Sequence, residues 1–375
     1  MIAKEEIRAV TEVLRSGMLS GFRAKPDYFK GGKAINEFEE RFAEYIGSKH
    51  AVTFNSATSA LHTALLSCDI RPSDRVLVPC YTFSASASCI LMCGAEPVFC
   101  DIDPLSFNMH IDIPRIQSLD PLPKAAIIVH LQGHPAHKAL IRAKGIFLGK
   151  WASRKNIKII EDASQSIGAS YLGKNTGTWG DCGVFSFNQF KHINCGEGGM
   201  LVTDNDDIAH KARLIRNHAE NFTDMLGYNY RMTEVTAAIG IEQLKKLPDE
   251  LYRRRCIALK LNHELDKIDG LTPPIVYPDC SHSWYTYAVK YNNPFMTREK
   301  FQAEMDKNGI YFGGKYVTPL HLLPLFQQYA PEGGCPVAER MWKTELIVTD
   351  FKKWSYNPDR VAGTVRKVLG VDNPL

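Results

Sequence analysis

No stretch of this 375-residue chain approaches the roughly 18 uninterrupted apolar residues of a membrane span. The first residues, Met1 to Arg15, alternate charged and apolar groups where a signal peptide would carry an apolar core. Both absences point to a cytoplasmic protein with no membrane partner. Excess charge of one sign is missing too. The 45 Lys and Arg face 41 Asp and Glu, the net charge is +4 and the charges are interspersed, so the electrostatic footprint of a nucleic-acid binder is excluded. The one basic run, Arg253-Arg254-Arg255, reads as the solvated face of a helix. The ten cysteines include no Cys-x-x-Cys pair, so neither zinc-ligand spacing nor a thioredoxin motif is present, and the thiols read as reduced core residues. No metal is expected. Repeats and low-complexity tracts are lacking as well, which excludes disordered and fibrous classes. What remains is an ordinary globular composition, 45% hydrophobic and 23% charged, in a chain long enough for two domains without disulfide staples.

From Ala51 to Thr203, short β-branched runs alternate with helical patterns. The runs are Ala51 to Phe54, Arg75 to Val78, Val98 to Cys100, Ala126 to Val129, Ile157 to Ile160, Val184 to Phe187 and Met200 to Thr203. This alternation predicts an α/β fold with a mostly parallel sheet covered by helices. Thr58 to Ser67 and Ser84 to Cys93 are long enough for crossover helices, and Gly168 to Gly177 reads as a glycine-bounded hairpin. After Thr233 a long helical stretch with apolar Val235, Ile239, Ile241 and Leu244 runs towards Leu265. It is expected to break at Pro248 and to end at Gly270. Beyond lies a strand at Trp284 to Val289, a helix near Arg298 to Asn308 and a closing helix around Arg360 to Leu369. The expected division is a large unit over residues 1–245 and a smaller α+β unit over 246–375. The N-terminal residues to about position 25 are a candidate to pack on the smaller unit.

Four features bear on chemistry. Asn55-Ser56-Ala57-Thr58-Ser59-Ala60-Leu61 sits between a strand and a helix, where free backbone N–H groups and the positive helix end attract a phosphate. Alone it is also an ordinary capping sequence. Glu161-Asp162-Ala163-Ser164-Gln165 follows an apolar strand and places carboxylates at a strand's carboxyl end, where ligands of α/β folds bind, although a helix cap would read the same way. Phe185-Ser186-Phe187-Asn188-Gln189-Phe190-Lys191 leads from a strand into a loop with one lysine among apolar and amide neighbours. Desolvation there would favour the neutral, nucleophilic amine, while a single lysine is otherwise a surface residue. Gly196-Glu197-Gly198-Gly199 precedes a strand and so is no dinucleotide fingerprint. Asn55 to Ala60 contains no glycine, which further excludes a nicotinamide oxidoreductase.

Taken in this order, the four features resemble the DegT/StrS-like family of sugar aminotransferases, which use pyridoxal phosphate on the fold type I scaffold. Tyr81-Thr82-Phe83, Asp101-Ile102-Asp103-Pro104, Gly227 to Glu234, Pro319-Leu320-His321 and Cys335 to Arg340 extend the resemblance over most of the chain. The resemblance implies that Lys191 binds the cofactor covalently and shuttles a proton, and that Asp162 keeps the pyridine nitrogen protonated. Gln165 would bond near the ring hydroxyl, Phe83 would stack on the ring, and Thr58, Ser59 and Ser186 would bind the phosphate. Asn229 would reach the phosphate of a neighbouring subunit, so a homodimer with shared sites is implied. Arg231 would serve the donor carboxylate and His321 would face substrate, while His192, His130 and His218 are left structural.

The implied reaction moves an amino group from glutamate to a nucleotide-linked keto sugar, for surface polysaccharide or secondary-metabolite biosynthesis. A cyclitol acceptor stays open. Lys191 argues against a dehydratase relative, in which histidine replaces the lysine, and the complete set Asp162, Gln165, Ser186, Lys191 and Asn229 argues against a silent regulatory relative. The chain departs from the family pattern in starting close to its first helix, in a longer stretch from His134 to Arg154, and in Thr349 to Tyr356, which replaces a proline-containing turn beside the expected pocket.

Overall fold

The protein is described here by a computed structural model covering residues 2–23, 29–136, 155–220, 225–311, 314, 316–350 and 357–371, with backbone only for 344–350. Most of the His134 to Arg154 stretch, and the side chains of the Thr349 to Tyr356 turn, lie outside the described residues. Helices α1 (Lys4–Ser16) and α2 (Lys33–Ile46) come first. There follow β1 (His50–Phe54), α3 (Ala57–Ser67), β2 (Arg75–Pro79), α4 (Ala85–Met92), β3 (Glu96–Cys100), α5 (Ile113–Gln117) and β4 (Ala125–Val129). Next are β5 (Lys158–Asp162), the hairpin β6 (Ser170–Tyr171) and β7 (Lys174–Asn175), β8 (Cys182–Ser186), β9 (Gly199–Thr203) and helix α6 (Asp206–Arg216).

The expected runs form one seven-stranded sheet in the order β1-β9-β8-β5-β4-β2-β3. Five strands, β3, β2, β4, β5 and β8, pair in parallel, and β9 alone is antiparallel, to β8 on one side and β1 on the other. Six strands therefore point the same way. Helices α3 and α4 bury Leu61, Leu65, Cys89 and Ile90 with Val52, Val78 and Val184 of the sheet. On a second cluster Phe38 and Phe42 of α2 pack against Phe185 and Phe187 with rings 5.1–5.5 Å apart.

Position β1 depends on a buried ion pair. The Arg216 guanidinium donates to Glu39 Oε1 (2.6 Å) and to the Thr53 carbonyl (3.1 Å), and the same Glu39 oxygen accepts the Thr53 backbone N–H (2.8 Å). Removing one partner of such a pair costs about 3–5 kcal/mol, because the other charge stays buried.

Helix α7 (Glu234–Leu265) runs without interruption through Pro248, contrary to the break expected there, and stops at Leu265 instead of Gly270. Proline deletes one backbone hydrogen bond, but tertiary packing holds both halves of this helix. Ile241, Leu244 and Leu247 sit in the core with α2, while Ala258, Leu261 and Leu265 sit in a separate core. Gly270, at φ +84°, instead makes the turn before β10 (Leu271–Thr272). Helix α1 lies on the first half of α7, where Glu6 accepts from Gln243 (2.7 Å) and Lys246 (2.7 Å). The short strand β11 (Cys280–Ser281) pairs with β6. A small antiparallel sheet joins β10, β12 (Thr286–Tyr291) and β13 (Leu346–Asp350). Its core is shared with α8 (Arg298–Lys307) and α10 (Pro358–Leu369); the short α9 (Pro336–Arg340) packs in the large cluster instead.

Candidate active site

Because β1, β4, β5 and β8 point the same way, their carboxyl ends open on one edge. Asp162 closes β5 and stands in register with Val129 of β4 and Val184 of β8. The loop after β4 and Ser186 at the end of β8 therefore flank it. Successive residues of a strand face opposite sides of the sheet, which separates the two adjacent carboxylates. Glu161 is structural: it is fully buried and accepts from the backbone N–H groups of Gly177, Trp179 and Gly180, at 2.5–2.8 Å, and pairs with His130 Nε2 at 2.8 Å. Asp162, also buried, accepts from Ser86 Oγ (2.7 Å) and from the Ser164 backbone N–H (3.1 Å), with Thr82 Oγ1 a further 3.2 Å behind Ser86. Its carboxylate is thus held in one orientation.

Lys191 lies in a loop pinned at its base. Phe187 and Cys195, and Gln189 and Gly196, are joined by backbone hydrogen bonds of 2.8–2.9 Å, and Asn188 Nδ2 donates to Glu197 (2.8 Å). Gly199 lets the returning strand pass the start of α3, since a Cβ there would fall 2.5–2.6 Å from backbone atoms of Ser56 and Ala57. The Lys191 amine stands 4.1 Å from the centre of the Tyr285 ring, a cation–π geometry.

Tyr285 is fixed from two directions. Its backbone N–H donates to the Gln132 carbonyl (3.1 Å), and the buried Arg254 donates to the carbonyls of Trp284 and Tyr285 (both 3.0 Å) while pairing with Glu250 (2.7 Å). Arg254, read in the sequence as part of a solvated face, is therefore a correction. Arg253 and Arg255 are exposed, but the helix turn carries Arg254 inward, where carbonyl groups and one carboxylate satisfy it. Gln165 joins the same network: its Oε1 accepts the Gln132 backbone N–H (2.7 Å) and its Nε2 donates to Tyr316 (2.6 Å). Beside Lys191, His192 is buried and donates Nε2–H to the Ser283 carbonyl (2.8 Å). Burial first, and then the Arg254 charge, hold its pKa well below the usual histidine value, so the imidazole is neutral.

At the start of α3 the hydroxyl of Ser56 caps the Ser59 backbone N–H (3.1 Å), and Ser59 Oγ donates to Asn55 (2.6 Å). Ser59, expected at the phosphate, is buried in this capped turn with its hydroxyl beside Ser56 and Asn55, and Thr58, expected there too, lies half-buried in the first helical turn. Phe83, which follows the buried Tyr81 and Thr82 after β2, is 58% exposed, unusual for a large aromatic side chain. Asn229 is exposed next to Asn55, and Arg231 ties it to Asn217 by donating to both side-chain oxygens (3.1 and 2.9 Å). His321 departs from its expected place facing substrate. It is buried, in contact with Glu339 (3.1 Å) and packed near Phe99, because the Pro319 to Leu322 turn folds onto the ends of β2 and β3. The sequence reading missed Ser86, Gln132, Tyr316, Tyr285 and Arg254; each acts through a partner distant in the chain, and no local pattern announces it.

An edge with a fixed carboxylate, a lysine beside an aromatic ring, an exposed aromatic face and a helix N-terminus suits a phosphorylated, planar, nitrogen-bearing cofactor. Comparison with known proteins agrees. The DegT/DnrJ/EryC1/StrS aminotransferase family profile matches residues 1–366. The chain is 37% identical over 309 residues to GDP-perosamine synthase of Caulobacter vibrioides, covering 80% of this chain and 81% of that one. It is 32% identical over 343 residues to dTDP-3-amino-3,4,6-trideoxy-alpha-D-glucose transaminase of Streptomyces venezuelae, covering 90% and 86%. Among solved structures, S. venezuelae DesV in complex with a ketimine intermediate superposes with a TM-score of 0.85 at 29% identity, covering 97% of this chain and 94% of that one.

Arg254→Met is expected to lower turnover about tenfold, equal to about 1.4 kcal/mol, because Tyr285 loses its anchor beside Lys191. Arg254→Lys should not rescue, as one ammonium cannot serve two carbonyls and Glu250 together. Steady-state kinetics check both; unchanged turnover in Arg254→Met would show that Tyr285 is held without it.

Proposed function

From its membership of the DegT/DnrJ/EryC1/StrS aminotransferase family, to which this chain belongs, we propose that the protein transfers an amino group from glutamate to a ketone on a nucleotide-linked sugar. It is a pyridoxal phosphate-dependent aminotransferase. The observation that carries the proposal is Asp162, oriented by Ser86, on the same sheet edge as Lys191 and the exposed Phe83 ring.

When bound, pyridoxal phosphate supplies the electron sink that transamination requires. In this reading Lys191 would hold the cofactor covalently and, once the amino donor has displaced it, would take up and return a proton at its freed Nζ. Asp162 would sit against the pyridine nitrogen and keep it protonated, and Gln165 would hydrogen-bond near the ring hydroxyl. Phe83, exposed in this structure, would stack on one ring face. Thr58, Ser59, Ser186 and the N-terminus of α3 would hold the phosphate, in a turn capped by Ser56. His192, neutral and bonded to a carbonyl, leaves proton transfer to Lys191.

Asn229 is proposed to complete the phosphate site of a second subunit, and its exposure beside the α3 turn favours that reach. Arg231 both orients Asn229 and serves the donor carboxylate. The sugar acceptor lies near the Asn217 to Tyr230 segment. The product class follows the names of the two relatives, both makers of nucleotide-linked amino sugars. A role in surface polysaccharide or secondary-metabolite formation, a cytoplasmic location, and a division into units over 1–245 and 246–375 belong to the same proposal.

The substrate reading is tested by single-turnover absorbance of the amino-loaded enzyme. A nucleotide-linked 4-keto-6-deoxy sugar should reoxidise it quickly, and pyruvate or oxaloacetate slowly. Fast reaction with scyllo-inosose or a simple keto acid, and none with keto sugar nucleotides, would overturn the substrate class. For the shared site, mixing inactive Lys191→Ala with inactive Asn229→Ala should restore partial activity through hybrid dimers. No recovery despite demonstrated subunit exchange would place Asn229 in its own subunit's site.

A further inference from the structure

Three residues far apart in the chain meet beside the large sheet. Cys80 follows the last residue of β2, His321 lies in the 3-10 turn Leu320–Leu322, and Cys335 caps α9. Their side chains are buried, at 0%, 2% and 0% exposure, and one ligand atom from each lies within 4.8 Å of the others. Around a tetrahedral zinc ion, sulfur and nitrogen ligands stand about 3.5–3.8 Å apart, so small side-chain shifts suffice to close the set.

The imidazole carries a second, independent sign. His321 Nε2 is 3.1 Å from Glu339 Oε1, while Nδ1 is buried with no hydrogen-bond partner. A carboxylate accepts, so the hydrogen belongs on Nε2 and the Nδ1 lone pair is left aimed into the protein. A metal-bound histidine is held in this way, its distal N–H on a carboxylate that fixes tautomer and ring angle. Glu339 is itself fixed, since the same oxygen accepts the Cys335 backbone N–H (3.3 Å). The loops are also tied to one another: Leu320 N–H donates to the Cys80 carbonyl (2.7 Å). Asp101, which stands 4.0 Å from Cys80 Sγ, accepts the backbone N–H groups of Val337 and Ala338 (2.9 and 3.0 Å).

We infer that Cys80, Cys335 and His321 Nδ1 form a binding site for a thiophilic metal ion, Zn²⁺ in the first place, with Glu339 orienting the histidine. Two thiols lose their protons to solvent as the ion enters, and the fourth position is left to water or an Asp101 oxygen. Cys80 directly precedes Tyr81-Thr82-Phe83. The ion would clamp the root of that segment to the Pro319–Leu322 turn and α9, away from the transamination chemistry. The sequence gives no hint of such a site, because the two cysteines are separated by most of the chain and share no local motif.

The test uses the full-length holoenzyme, freed of metal by a chelator and titrated with Co²⁺ and with Zn²⁺. One ion per chain is expected, with visible d–d bands of tetrahedral, sulfur-ligated Co²⁺, release of two protons and a rise in melting temperature with Zn²⁺. Cys80→Ser and Cys335→Ser should lose these signals, and the exposed Cys256→Ser should keep them. Glu339→Gln, which leaves the three ligands in place, should weaken Zn²⁺ binding by about 10–100-fold. Absence of uptake by the unaltered protein, uptake insensitive to Cys335→Ser and Glu339→Gln, or a Cys80–Cys335 disulfide formed in place of metal uptake would each overturn the site.

Discussion

Parallel strand pairing obliges each crossover to bring the chain back to the same side, so successive loops accumulate on one edge of the sheet. In this protein that constraint assembles everything else. Asp162, Ser186 and the turn into α3 sit at the carboxyl ends of like-pointing strands, and the single antiparallel strand β9 closes the loop that carries Lys191. The cost of the arrangement is burial of polar groups between layers, and the structure answers it residue by residue. Glu39 meets Arg216, Glu161 meets three backbone N–H groups and His130, and Arg254 meets two carbonyls and Glu250.

Those buried groups also divide labour at the edge. Glu161 and Asp162 are adjacent carboxylates, yet the strand's alternation sends one to organise the β8 approach and leaves the other facing the site. Lys191 and His192 are likewise adjacent, and burial leaves the imidazole neutral and committed to a carbonyl. Neighbouring residues in sequence thus acquire unlike tasks from the side of the backbone on which they fall. The Gln165–Gln132–Tyr285 chain then couples the fixed edge to the wall beside Lys191, so the position of that wall depends on contacts from α7 and from the loop after β4.

Much of this is legible in the sequence, and for identifiable reasons. The seven strand runs announce themselves because strands buried on both faces are almost uniformly apolar, and the hairpin because glycines bound it. Pro248 misleads because local propensity is weaker than the two cores that hold α7 on either side of it. Arg254 misleads because a run of three arginines resembles a solvated face until helical turning separates the middle one. Asn55 to Leu61 reads equally as a phosphate turn or a capping sequence from composition alone, and the structure shows which residue caps: Ser56, whose hydroxyl accepts the Ser59 N–H. His321 matched a motif whose direction only the tertiary fold decides. Tyr285, Ser86 and the Cys80, His321 and Cys335 group are invisible beforehand, since each takes its meaning from residues scores of positions away.

The central claim is that Lys191, held beside Tyr285 on the Asp162 edge, carries the cofactor. Borohydride reduction of the purified holoenzyme, followed by proteolysis and mass spectrometry, tests it most directly. The account predicts a pyridoxyl group on the peptide containing Lys191; the same group on another lysine, such as Lys174, with Lys191 unmodified, would contradict it.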